Sequence, residues 1–235
     1  RLVDAEAARS LPVNIVSEGV VTRSVRDTAH FYAGAEQFYR NPKLPPVGLV
    51  KGPGSRPLRI GLVHDSITGH ATDAQTRATV EATARLLESM GHRVEEMPLP
   101  VKQSFANEFS IYWGMLSFLV SVFGKRIMSP DFDASKMDHL SQGLASLYKR
   151  NMFKTPMVLY RLKKTLNDCA LVFKQYDLVL SPLAAHKTPK LGWLSPSQDF
   201  DVLFDRLLRY VSFTPLNNAS GSPAISLPMG VTTEG

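Results

Sequence analysis

Apolar residues recur along this chain with two periods, and the changes between them divide it into elements. Leu58-Arg-Ile-Gly-Leu-Val63 is short and mostly apolar, which predicts an interior strand. Val80, Ala84, Leu87 and Met90 then return at helical spacing, predicting a helix from about Asp73 to Met90 with Gly91-His92 as its stop. Arg93-Val-Glu-Glu-Met-Pro-Leu99 is more polar and predicts a second strand nearer an edge. Strand, helix, strand in this order is a βαβ unit, so the two strands should be parallel with a right-handed crossover. Upstream, Ser24-Val-Arg-Asp27 has the spacing of a capping box, the Ser24 hydroxyl and Asp27 carboxylate answering open amides at a helix start. Val25, Ala29, Tyr32 and Ala33 continue that helix on one face. The proline- and glycine-rich stretches 41–46 and 51–57 read as a surface connection.

From Val101 to about Tyr176 the pattern is helical and holds most of the large apolar residues. Helices are predicted near 102–124, 134–151 and 155–175, with Gly114 and Gly124 interrupting the first and Ser129-Pro-Asp-Phe-Asp133 separating the first two. Asp177 to Pro182 returns to a strand, and 184–197 is a loop rich in Pro and Gly. Asp199 to Val211 is a helix with Phe200, Leu203, Phe204, Leu207, Leu208 and Val211 on its buried face. An Asn-rich turn at Asn217-Asn218 follows, then a last short strand, Ala224 to Leu227, between Pro223 and Pro228. The chain thus reads as an α/β core with a helical excursion. Residues 1–100 form a core portion with the βαβ unit, 101–176 the excursion, and 177–235 the return to the same core.

Composition narrows the partners. The 27 basic and 21 acidic residues leave a net charge of +6, but the basic residues are dispersed and form no stripe suited to nucleic acid. The longest apolar run, Ile111 to Phe123, falls short of the about 20 residues that span a bilayer. Arg1 to Asn14 lacks the apolar segment of a signal peptide. Cys169 is the single cysteine, which rules out an internal disulfide and fits a cytoplasmic protein. It lies in the helical stripe Leu159, Leu162, Leu166, Ala170, Phe173, where a buried cysteine is expected instead of a nucleophile.

Candidate chemistry is sparse. His64-Asp65 follows a strand directly, the place where α/β sheets put functional groups, although a turn or helix-approach residue satisfying local amides is the expectation. Gly52-Pro-Gly54 precedes a strand instead of following one, so it is no phosphate loop. The six histidines are scattered without metal-ligand spacing, His186 being the one expected to face a cleft. No Gly-x-Ser-x-Gly elbow occurs. Ser220-Gly221-Ser222 looks like a nucleophile loop, but Pro223 removes a backbone donor and no base is placed near it, so a structural turn is the expectation.

Two segments carry a family resemblance. Gly19-Val-Val-Thr-Arg23-Ser-Val-Arg-Asp27-Thr-Ala29 and Asn217, Gly221, Pro223-Ala-Ile, Pro228, Gly230 resemble the amidase-signature hydrolases, in the order that family uses. Ser181-Pro182 is similar to the strand end entering that family's acyl-pocket loop. The resemblance implies a mixed central sheet flanked by helices in three layers, incomplete in this span. It also implies amide or ester hydrolysis by a serine nucleophile, with a lysine and a bridging serine as proton relay and no metal or organic cofactor. Those three side chains are expected upstream of Arg1, so no catalytic residue is assigned within 1–235. The helical excursion and the loop 181–196 would shape the substrate pockets, with Trp113, Met115, Phe118, Trp193 and Asn217 as candidate binding residues. For Trp113, Met115 and Phe118 core packing is the rival reading; for Trp193, a loop cap; for Asn217, a side-chain turn.

The partners expected are a small-molecule amide, the rest of the same polypeptide and possible homodimer formation. The apolar run 111–123 suggests an aliphatic or aromatic acyl group instead of a charged one. Two rival functions are the glutaminase subunit of a tRNA-dependent amidotransferase and a noncatalytic α/β binding module. The segment by itself is expected to be inactive and poorly soluble, since its sheet would lack neighbours.

Overall fold

The computed structural model describes residues 11–40, 42 and 44–232. At its centre three parallel strands, β1 (Arg59–Leu62), β2 (Arg93–Glu96) and β3 (Leu178–Leu180), lie in the order β2-β1-β3. Ile60 pairs with Val94 on one side and with Leu178 on the other, and Leu62 with Glu96 and Leu180. The most apolar segment therefore takes the middle position, as its composition predicts. Ile60, Gly61 and Leu62 are all buried, whereas β2 keeps only Val94 half-covered.

Helix α1 (Val25–Phe38) opens where the capping box was read, the Asp27 amide donating to Ser24 Oγ at 3.1 Å. None of its residues is buried, and Val25 and Tyr32 are exposed, so the face predicted from their spacing has no core partner among the described residues. Helix α2 (Ala74–Ser89) crosses between β1 and β2. Asp73 caps it by accepting from the Thr76 amide at 2.8 Å. Its other end closes as a Schellman motif, Gly91 N–H to Glu88 C=O and His92 N–H to Leu87 C=O, with Gly91 at φ 91°. Val80 and Ala84 pack on Leu62, Val94 and Leu180 and cover one face of the sheet. Met90, read as part of that face, is exposed because it is the cap residue beyond the last packed turn.

Helices α3 (Phe105–Ile127), α4 (His139–Asn151) and α5 (Thr155–Val172) form a packed group around Phe105, Ile111, Tyr112, Leu162 and Val158. Gly114 and Gly124 do not interrupt α3. They admit its neighbours: a Cβ at Gly114 would stand 2.6 Å from the Leu144 carbonyl oxygen of α4, and at Gly124 it would enter the Phe132 ring. Glu108 and Arg161 join α3 to α5 through an ion pair of 2.6 Å, with Glu108 nearly enclosed. Tyr112 reaches back 99 residues, donating to the Val13 carbonyl at 2.5 Å and accepting from its amide at 3.0 Å.

Helix α6 (Phe200–Tyr210) starts at the Asp199 cap, and α7 (Pro215–Ser220) follows it closely. The Asn-rich turn is thus a short helix, since Pro215 suits a first helical turn and Gly221 at φ 68° ends it. Ala224 to Leu227 is not a strand. Residues 222–232 run as irregular chain with Ile225, Leu227 and Met229 exposed. A strand needs an adjacent edge to accept its hydrogen bonds, and among the described residues the sheet holds only β2, β1 and β3. No described helix is long and apolar enough to cross a membrane.

Candidate functional site

The carboxyl end of β1 leads through His64 and Asp65 into the loop 64–70, and this is where open α/β sheets bind ligands. His64 Nε2 lies 3.5 Å from Glu96 Oε1, while Asp65 points to solvent. Ser66 Oγ donates to the His70 carbonyl at 2.7 Å, and the Ile67 amide donates to the Ser212 carbonyl at 3.0 Å. The loop is therefore tied to the chain just after α6. Ile67 and Thr68 reach a cavity of about 280 Å³ bounded by α3, α6, α7 and Ile15.

Two helices build its walls by the same arithmetic. Helix α3 contributes Ala106, Phe109, Ser110 and Trp113, and α6 contributes Phe204, Leu207, Leu208 and Val211. Both sets are spaced i, i+3, i+4, i+7, a single helical stripe. Trp113 and the four α6 residues are half-buried, so these stripes meet empty space instead of each other. Three of the four hydroxyl and amide side chains in the lining hold hydrogen bonds of their own, Thr214 being the fourth. Ser110 Oγ donates to Ala106 C=O at 2.7 Å, Thr68 Oγ1 pairs with Ser212 Oγ at 3.0 Å, and Asn218 Nδ2 donates to Ile15 C=O at 2.8 Å. None of the side chains lining the cavity is ionisable.

The five sequence candidates occupy different places. Trp113 stands in this cavity wall. Met115, two residues on and so facing the other side of α3, is 7 % exposed and sits in the core with Ile111 and Tyr112. Phe118 packs 5.4 Å from the Tyr148 ring, with the Lys149 ammonium 5.7 Å above it. Trp193 holds the loop 184–198 to α6: the Arg206 guanidinium lies 5.2 Å over its ring and donates to its carbonyl at 2.8 Å. His186 meets Trp193 edge-on at 5.3 Å and Tyr210 at 4.9 Å. Asn217 faces a smaller hollow, about 70 Å³, between the sheet and α5, beside Cys169 and Ser220. Burial raises the Cys169 thiol above its ordinary value, against a lowering hydrogen bond with Ser220 and together with the Asp168 charge. That hollow favours a neutral thiol, not a thiolate. The Ser220 and Ser222 hydroxyls bond each other at 2.9 Å, which with the Gly221 cap makes this segment a helix end, as the turn reading expected.

Phe109, Leu207 and Leu208 were not singled out as binding residues. Their signal was present, in the two matching stripes, but a stripe facing a cavity and a stripe facing a core read alike in sequence. Among the described residues no group of histidines, cysteines and carboxylates could hold a metal ion.

A parallel sheet flanked by helices, its carboxyl end leading to an apolar cavity, defines an α/β fold. Comparison with known proteins specifies the family. Residues 6–235 match the family described as Amidase. The chain is 43% identical over 234 residues to the putative amidase AmiC of Mycobacterium leprae, covering 99% of this chain and 49% of that protein. It is 41% identical over 228 residues to the putative amidase AmiC of Mycobacterium tuberculosis, covering 97% and 48%. Among solved structures, 6-aminohexanoate cyclic dimer hydrolase superposes with a TM-score of 0.64 at 21% identity, over 91% of this chain and 48% of that one. The chain belongs to the amidase family, and it spans about half the length of the relatives it matches.

Proposed function

We propose that the protein carrying this chain hydrolyses a carboxylic amide. The match of residues 6–235 to the amidase family carries this reading. A serine oxygen adds to the amide carbonyl, the carbon–nitrogen bond breaks, and ammonia or an amine leaves with a proton. Water then cleaves the acyl ester to a carboxylate and restores the serine. The nucleophile, its bridging serine and a neutral lysine base are assigned to polypeptide outside residues 1–235, with backbone amides there holding the oxyanion. In support, Ser24, Ser66, Ser110 and Ser212 are committed to caps, turns and helix carbonyls. Residues 101–176 act as a helical excursion on the substrate side of a core formed by 1–100 and 177–235. Trp113 forms a substrate wall, Met115 and Phe118 fix α3 in the helical core, Trp193 holds its loop to α6, and Asn217 positions the chain beneath the reacting groups.

The test uses the full polypeptide with acetamide, hexanamide and benzamide, following ammonia release. Phenylmethylsulfonyl fluoride should abolish turnover and leave one sulfonylated serine, mapped by mass spectrometry outside residues 1–235. A modified serine inside that range would refute the placement. Absence of turnover on every amide would favour a binding module, and strict dependence on glutamine with a copurifying subunit would favour an amidotransferase.

A further inference from the structure

The cavity between α3 and α6 has three properties that together select a ligand. It is about 280 Å³, nearly twice the roughly 150 Å³ of an apolar cavity known to take benzene. Seven of the eight residues of its two helical stripes are apolar and half-buried, so covering them with an apolar group is favourable. No ionisable side chain lines it; Ser110, Thr68 and Asn218 each already hold a hydrogen bond, and Thr214 carries the remaining hydroxyl of the lining. A carboxylate or ammonium entering it would lose water without gaining a partner of opposite charge. The wall is also held in place. Arg206 and Tyr210 anchor the neighbouring surface of α6 to Trp193 and His186, and Ser212 ties its end to the loop after β1.

We infer that this cavity seats the acyl side of the substrate and selects an uncharged fused-ring aryl or branched alkyl group, with Trp113 and Leu207 setting its size. The inference rests on the amide-hydrolase reading for the word acyl, but the cavity's preference for an apolar group stands on its lining alone. Trp113 lines the space from one helix and Leu207 from the other.

Binding and turnover are measured separately, on the full polypeptide. Binding of 1-fluoronaphthalene is followed by fluorine NMR, and turnover as the ratio of kcat/KM for 1-naphthamide to that for acetamide. Leu207→Trp fills the space and should weaken 1-fluoronaphthalene binding and lower the ratio, each by about tenfold. Leu207→Ala enlarges the space and should shift preference towards anthracene-sized amides, which keeps the test open if the tryptophan variant folds poorly. Val202→Ala, on the exposed side of α6, should change neither quantity. Unchanged binding and an unchanged ratio in both Leu207 variants, with amides still hydrolysed, would overturn the cavity assignment and leave the hydrolase reading intact. Leu207-dependent binding of 1-fluoronaphthalene without hydrolysis of any amide would do the reverse.

Discussion

Replacing Gly114 with alanine sets helix propensity against packing. In the interior of a helix, alanine is favoured over glycine by about 0.8–1.0 kcal/mol. At this position the new Cβ would stand 2.6 Å from the Leu144 carbonyl oxygen and 3.2 Å from Tyr148 Cβ. Ordinary contacts between carbon atoms begin near about 3.5 Å, so α3 and α4 would have to separate by roughly 0.5–1 Å. Leu144 and Tyr148 are buried, and the clash is with backbone that no rotamer can move aside. Overpacking of this kind costs about 1–3 kcal/mol, and a backbone clash belongs at the upper end. The net expectation is a destabilisation of about 2 kcal/mol, the packing cost less the propensity gain. Gly34, inside α1, is the matched control, because a Cβ there meets nothing within 4 Å. Gly34→Ala should stabilise by about 0.5–1 kcal/mol. Equilibrium urea unfolding of the full polypeptide measures both as shifts in midpoint at constant slope. If Gly114→Ala raises the midpoint as Gly34→Ala does, the close approach of α3 and α4 is wrong.

Three further outcomes follow from single contacts. Tyr112→Phe leaves the Val13 amide and carbonyl without their partner in a buried setting, and should cost about 2–3 kcal/mol with faster hydrogen exchange at the Val13 amide. Glu108→Ala and Arg161→Ala should couple by about 1–2 kcal/mol in a double-mutant cycle, because Glu108 is enclosed while Arg161 still reaches water; additivity would mean the pair contributes nothing. Burial of Asp73 opposes its charge, but the Thr76 amide and hydroxyl, with the Lys187 and Gln75 amides, outweigh it and hold the carboxyl below its ordinary value. Its contribution is therefore full above the ordinary carboxylate value and is lost as pH falls through the depressed one, so Asp73→Asn should flatten the acid limb of a stability–pH curve.

Much of the framework was legible from local pattern. The apolar run at 58–63 became the central strand, Asp73 and Gly91 bounded α2, and Ser24 began α1, because each is decided within a few residues by burial period or capping. Cys169 inside its stripe was read correctly as buried. The readings that changed were of another kind. Gly114 looked like an interruption because propensity sees only its own helix, whereas its role lies in the carbonyl of Leu144 on another. Ala224 to Leu227 has strand composition, but strand formation requires an edge supplied from elsewhere. The stripe on 200–211 was recognised as apolar without showing that it meets a cavity.

The order of residues alone carried the family resemblance in two motifs, and it set the parallel βαβ unit, both ends of α2, the start of α1 and the apolar stripe of α6, since periodicity and caps act over one or two turns. Folding in three dimensions decided which stripes touch and which leave room. It brought Ile15, Trp113 and Leu207 around one space, sent Asn217 to another and packed Trp193 against Arg206 and His186. Distances between segments about 100 residues apart follow from how helices seat against one another, and no local pattern contains that information.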